Sequence, residues 1–417
     1  MLILKKLNRS FNVKKLRGVN EGIGNVFRCP SPYWYLANSQ RKSYQQADGG
    51  DSPKMVIFFG NDMSGLLGFV GADKEKYISR ANDCLDYVRQ KFPGFDLCYK
   101  PHPGDVNEKD HLNLDGFRVV GQNTTAELVL LENLKKIRAV FTIASYSAFN
   151  GYSMGLDSHV FYHCFSDIYG RDFLLNLDDA FAEMPESFFV RSLSQGLADN
   201  SRELRNDESL KPVLKKILDE NTGKIWMICS FSEYTVLLGI LARIIKDLSP
   251  GRQIGFIASH HRRWDLIRGY LDTNFDEVAF MPRIHYSLKP VRLAKAIKVA
   301  RETKRFKIAL GDVLVVASQP DFVENCFVSY HKNNLKIGLT NYRDFYPQYD
   351  SRSSNYTAYS SYRFNKATWF FNRIFEPLLG LHRCLYLSFT SMKGFYFNRY
   401  QRPLNEIFDK LILFRVG

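Results

Sequence analysis

Asp96-Leu-Cys-Tyr-Lys100-Pro-His102-Pro103-Gly-Asp105 is answered further on by Phe141-Thr-Ile-Ala-Ser145-Tyr-Ser147-Ala-Phe-Asn-Gly-Tyr-Ser-Met-Gly155, and both stretches carry a strand into a loop. The first is a short apolar strand stopped by two prolines, which cannot continue a ladder. Lys100 and His102 are thereby placed in a constrained loop at a strand's C-terminal end. The second is a strand, Ala139 to Ile143, that runs into Ser145, Ser147 and a Gly/Asn-rich turn able to open a helix. Ligands of open α/β sheets bind beyond the C-terminal ends of the strands. Hydroxyls and unpaired N–H groups at a helix start suit a phosphate. Taken singly, a His between prolines is an ordinary turn residue and a Ser after a strand an ordinary N-cap; the pairing of a cationic and a hydroxyl-bearing strand end is what points to a site.

The surrounding chain repeats one grammar. Lys54 to Gly60 is a continuous apolar run of the kind buried on both faces of a parallel sheet. Tyr77, Ala81, Cys84, Leu85, Val88 and Phe92 follow at helical spacing, and Leu97 to Tyr99 returns as a strand. Val119-Val120, a helix from Glu127 to Lys136, Ala139 to Ile143 and His159 to His163 complete a Rossmann-like unit with right-handed crossovers. No GxGxxG follows the first strand, so a dinucleotide cofactor is not indicated. After a less regular acidic stretch the pattern restarts at Lys224. It continues through strands at 253–258, 277–280, 313–316 and 336–339, with helices at 233–246, 263–270 and 290–304. The expected organisation is a basic arm and linker at 1–52, a first α/β domain at 53–221 and a second at 222–417.

The 417 residues include 45% hydrophobic and 24% charged residues, the balance of a globular chain large enough for more than one core. Lys5-Lys6 cuts short the apolar start, so no secretory leader is expected, and no run reaches the ~18 apolar residues of a membrane span. Seven cysteines without a CxxC pair argue for a reducing compartment and against a metal or disulfide framework. Residues 1–220 hold 28 basic and 28 acidic residues, whereas 221–417 hold 29 and 15, so the whole +14 lies in the second half. Halves so different in charge are expected to meet different partners.

The Tyr99-Lys-Pro-His-Pro103 run, the helix start Thr124-Thr-Ala-Glu127-Leu128 and the strand ending in Ser145-x-Ser147 resemble the donor-binding half of bacterial lipooligosaccharide sialyltransferases and capsule polysialyltransferases. The resemblance covers about residues 53 to 170. It implies an α/β fold of two Rossmann-like domains facing a cleft, the GT-B architecture, with no metal and no cofactor beyond the nucleotide-sugar donor. It further implies that His102, Pro103, Ser145 and Ser147 contact the phosphate of CMP and that Glu127 faces the nucleotide; the cationic Lys100 beside them is expected at the same phosphate by its charge. The order of halves is reversed relative to those families, as in a circular permutation, a divergent fusion or a chain that pairs with another subunit; chain termini that lie close together tolerate the first.

Transfer from such a donor requires stabilisation of the departing phosphate and removal of the acceptor's proton. His102, with an ordinary pKa of ~6.5, suits the first task. For the second, the families carry an acidic pair followed by Gly, where this chain reads Thr340-Asn-Tyr-Arg-Asp344. Asp344, then Asp321 and Asp312, are the candidate bases, each also an ordinary loop or capping residue. The aromatic and basic tail from Tyr342 to Tyr400 is either a helix packing its rings inward or a surface for anionic lipid or acidic glycan; nothing marks a nucleic-acid-binding fold. The expected protein is a cytoplasmic enzyme, peripheral at the inner face of the plasma membrane, that moves sialic acid from CMP-sialic acid to a surface polysaccharide or lipid-linked acceptor. A catalytically silent partner subunit that binds nucleotide or glycan, and a glycerophosphate-type polymer transferase, are the alternatives.

Overall fold

The computed structural model describes residues 26–37, 54–63, 67, 72–104, 107–121, 124–181, 184–201, 209–229, 232–260, 267–284, 287–317, 322–341, 370–381, 383–385, 401–403 and 408–415. They fall into two compact units. One holds the described residues from Ser31 to Ser201; the other holds Val26–Pro30 together with those from Ser209 to Arg415. The two units are α/β, each built on a parallel sheet with intervening helices, as the alternation of strand and helix patterns predicts.

Strand β1 (Val26–Pro30) belongs to the second unit. The first unit contains β2 (Met55–Phe59), β3 (Asp96–Lys100), β4 (Arg118–Val119), β5 (Ile137–Thr142) and β6 (Asp157–Val160). Its sheet has the order β4-β3-β2-β5-β6 with every pairing parallel. That is the Rossmann order, in which the chain moves outward to one edge, returns, and moves outward to the other. All five residues of β2 are buried, and full burial of each large apolar side chain contributes about 1.5–3 kcal/mol. Helix α1 (Lys74–Lys91) crosses from β2 to β3; Asp73 caps it by accepting from the N–H groups of Glu75 and Lys76, and Tyr77, Ala81, Cys84, Leu85 and Val88 form its buried stripe. Helix α2 (Ala126–Asn133) precedes β5 and α3 (Tyr146–Ser153) follows it. Gly155, at φ +78, ends α3 in a Schellman motif: its N–H donates to Tyr152 and that of Leu156 to Gly151. The expected strand at His159 to His163 stops at Val160, where the chain turns into a 3-10 helix, Tyr162–Phe165. Helix α4 (Arg171–Ala180) follows, and Asn200 then bonds Asp157 and Ser158 to hold the irregular stretch 184–201 beside β6.

In the second unit the strands are β7 (Ile225–Cys229), β8 (Ile254–His260), β9 (Glu277–Pro282), β10 (Val313–Ala317) and β11 (Leu335–Asn341), a separate short pair β12 (Arg383–Leu385) and β13 (Gln401–Pro403), and β14 (Lys410–Arg415). The order β1-β14-β11-β10-β7-β8-β9 is again parallel throughout and again reverses next to an internal strand, β7. Three expectations change here. Residues 26–30 are not part of an arm but an edge strand, because β14 offers them an open ladder. Tyr33 and Trp34, assigned to the linker, are buried in a helical turn at 32–37. The boundary lies upstream of α5 (Leu210–Asp219), not at 221, because Leu210, Leu214, Ile217 and Leu218 bury against the second unit and Arg252 binds the carbonyls of Leu218, Asn221 and Gly223 at the end of that helix. In the tail, Phe371 and Phe375 enter the core with Trp226, Phe322 and Phe408, which is the inward-packing outcome for those two rings.

Asp312 stands at the N-terminal end of β10 and accepts from the backbone N–H groups of Lys224 and Ala309 and from Trp226 Nε1. Asp312→Ala leaves three donors without that acceptor in a buried place, and the variant is expected to lose about 3 kcal/mol in urea unfolding of the intact chain.

Candidate functional site

The register of the first sheet brings the two motifs to one edge. Phe59, the last residue of β2, pairs with Lys100 on one side and Thr142 on the other. Three strands therefore end level, and the residues just past that row are Gly60-Asn61, Pro101-His102 and Ile143-Ala144-Ser145. At ~4.8 Å per strand, the ends of β3 and β5 lie about 10 Å apart, with β2 between them. The sheet order reverses between β2 and β5, which is where an open α/β sheet forms its crevice.

The loop after β3 is held from beneath. Lys100 is buried, and its Nζ donates to the carbonyl of Pro101 at 2.8 Å. Gly121, at φ +56, passes so close that a Cβ would come within 3.4 Å of the Lys100 stem and 2.5 Å of Val129. Lys100 thus braces the loop that presents His102. His102 is half-buried, and its Nδ1 accepts from the Gly104 N–H at 3.0 Å, with the half-buried Pro103 between them. A neutral ring so bonded carries its proton on Nε2, the tautomer that can donate to an anion.

On the other side of β2, Ser145 is the N-cap of α3. Its Oγ accepts from Ser147 N at 3.2 Å and from Ser147 Oγ at 2.7 Å, while Ser145 N donates to Thr142 Oγ1 at 3.3 Å. Ser147 is buried and Ser145 half-buried, so the two hydroxyls have different uses: Ser147 positions Ser145. Glu127 is buried on α2 and accepts from Asn150 Nδ2 at 2.9 Å, tying α2 to α3. The structure therefore brings Lys100, His102, Pro103, Ser145 and Ser147 to one sheet edge and gives Glu127 a bond between helices. Asp321 and Asp344 lie outside the described residues. Asp312, at the opposite end of its strand from a ligand edge and bonded three times, is a structural acceptor.

Two residues of the site were not singled out from the sequence. Glu108 is buried, and its carboxylate accepts from Asn61 N at 2.9 Å, Tyr99 Oη at 2.7 Å and Tyr77 Oη at 3.2 Å. It joins α1, the end of β2, β3 and the loop that carries His102. Gly60 makes this possible, since a Cβ there would stand 2.3 Å from Tyr99 Oη and 2.5 Å from Glu108 Oε2. Gly closing an apolar run was the available hint of close approach; nothing local marks Glu108 as a buried acid. Asn61, beside it, is also buried. At the same edge beyond β6, His163 Nε2 lies 3.2 Å from Arg191 Nη1 and 3.5 Å from Asp178, and burial, with Arg191, lowers its pKa.

No protein-family model matches the sequence, and no curated protein does. Among solved structures, E. coli heptosyltransferase WaaC with ADP aligns at 12% identity over 69% of this chain and 87% of that one, with a TM-score of 0.18. UDP-GlcNAc 2-epimerase from Neisseria meningitidis bound to UDP-GlcNAc aligns at 10% identity over 79% and 94%, with a TM-score of 0.19. At such values neither likeness bears on what this chain binds.

The buried phenols give the site a pH signature. Burial first, and the Glu108 carboxylate second, hold Tyr77 and Tyr169 well above the usual 10.0. Their pKa is raised by folding, so the stability they contribute is complete below pH ~10 and is lost as pH climbs toward the folded values. Denaturation midpoints should hold steady to about pH 9 and fall beyond pH ~10, with a late fraction of tyrosinate absorbance appearing only as the protein unfolds. A midpoint flat through this range would contradict the assignment.

Proposed function

We propose that the chain is a nucleotide-sugar-dependent glycosyltransferase whose first unit binds the donor at the ends of β2, β3 and β5. The observation that carries this is the placement of His102 and Ser145 on either side of the strand next to which the sheet order reverses. A phosphate there meets an imidazole N–H on one side and a hydroxyl with the first turn of α3 on the other. Donation from His102 Nε2 would stabilise charge as the sugar–phosphate bond breaks, which is where differential stabilisation acts. In keeping with the resemblance of the Lys-Pro-His-Pro and Ser-x-Ser motifs, the donor is assigned as CMP-sialic acid and the acceptor as a surface polysaccharide or lipid-linked oligosaccharide. The acceptor's proton is assigned to Asp344, with Asp321 second.

Titration of the full chain with CMP by calorimetry should show binding that His102→Ala weakens by about tenfold or more. Replacing the true base with Asn should lower turnover of CMP-sialic acid by about 10²–10⁴ with CMP affinity intact. CMP binding without any turnover would favour the silent partner subunit, and absence of CMP binding would remove the nucleotide reading altogether.

The membrane side of the proposal rests on helix α6 (Pro290–Arg305) of the second unit. Arg292, Lys298, Arg301, Lys304 and Arg305 are exposed along it, and Leu288 and Val291 are exposed at its start, Val291 by 81%. Apolar tips within a basic field suit an anionic lipid surface better than a dissolved polyanion. No described helix is long and apolar enough to cross a membrane. The full chain should co-sediment with phosphatidylglycerol vesicles at low salt, release as salt screens the charges, and lose most binding in Val291→Glu/Arg292→Glu. Equal sedimentation with neutral phosphatidylcholine would rule this out.

A further inference from the structure

We infer that Asn61 is a ligand contact of this site, its side-chain amide donating to a phosphate oxygen of the bound nucleotide. The inference rests on the nucleotide reading above and adds a residue to it from separate observations.

Asn61 is the second residue past the end of β2, the strand next to which the sheet order reverses. The parallel register sets it between the chain that leaves β3 toward His102 and the chain that leaves β5 toward Ser145. Its backbone is fixed: the N–H of Gly60 donates to Lys100 O at 2.9 Å, and that of Asn61 donates to Glu108 Oε2 at 2.9 Å. Its side chain is only 6% exposed, yet Nδ2 has no acceptor among the described residues. A buried amide donor without a partner is costly, and native proteins rarely keep one unless something else uses it.

The surroundings favour an anion. The nearby carboxylate of Glu108 is occupied by three donors, and the groups that converge on the three strand ends are themselves donors: the His102 ring in its Nε2–H tautomer and the start of α3. A phosphate oxygen completes the amide's bonding, whereas an ammonium or a donor-only group would not. The Glu108 clamp supplies rigidity, so the amide is placed before the ligand arrives and little ordering cost falls on binding. Glu108 is in this sense a positioning residue for Asn61.

The test pairs affinity with the stability of the free protein. Asn61→Leu keeps the side chain's size and removes the stranded donor; Asn61→Ala is the smaller control. With the full chain, Asn61→Leu should weaken CMP about ten- to hundredfold, and inorganic phosphate in proportion, while its melting temperature without ligand stays the same or rises. Three results overturn the inference. One is unchanged CMP affinity in both variants while His102→Ala is impaired, which leaves the nucleotide reading standing. A second is a melting temperature that falls by several degrees in Asn61→Leu, which shows an internal partner for the amide. The third is weakened CMP with unchanged phosphate binding, which moves the contact off the phosphate. Failure of the unaltered protein to bind either probe removes the nucleotide reading and this inference together.

Discussion

The Glu108 carboxylate is the constraint on which the candidate site depends. Three donors from three elements meet on it: Tyr77 from the helix after β2, Tyr99 from β3, and the backbone of Asn61 just past β2. An acid removed from water is costly unless it is fully bonded. Here the bonds satisfy it and at the same time prevent the loops beyond β2 and β3 from moving independently. The price appears at Tyr77, whose ionisation is pushed upward by burial and by the same carboxylate. Removal of Gly60's freedom of approach would undo the arrangement, since no side chain fits between β2's end and the acid.

Both units solve the same topological problem in the same way. Apart from the edge strand β1, each unit starts from a strand inside its sheet, β2 or β7, sends the chain outward through two crossovers, then returns to the other side of that strand. A parallel sheet made this way has its faces covered by helices and its backbone groups paired, which explains the continuous apolar runs at Met55–Phe59, Ile225–Cys229 and Val313–Ala317. It also separates the work of the two sheet ends. At the N-terminal ends, Asp312 and Asp157 tie loops and side segments down. At the C-terminal ends of the first sheet, side chains are braced by internal bonds that still leave hydroxyl and imidazole groups at the crevice.

Within that crevice, residues of similar chemistry take different roles. Ser145 and Ser147 read alike as hydroxyls after a strand, but one caps the helix at partial exposure and the other is buried in support of it. Lys100 reads as a phosphate ligand, and the structure uses its ammonium on the neighbouring carbonyl that shapes the loop. Glu127 bonds Asn150 across two helices. Such divisions follow from depth beneath the surface, which residue type does not encode.

The class of the fold and the strands that carry the motifs could be read from local sequence pattern alone. Uninterrupted apolar runs, helical spacing between them and prolines at strand ends are local properties, so β2, β3, β5, α1 and the second unit's core strands were legible. The same pattern also determined which loop would hold His102 and which helix start would hold Ser145. That Val26–Pro30 joins the sheet of the second unit emerges from long-range pairing, because its partner is β14 (Lys410–Arg415), nearly four hundred positions away. The same holds for α5, whose apolar face is assigned by the sheet it meets and not by its place in the sequence. The link between Glu108 and Asn61 spans 47 positions and exists because two parallel strands end level, a relation of register that no local pattern contains.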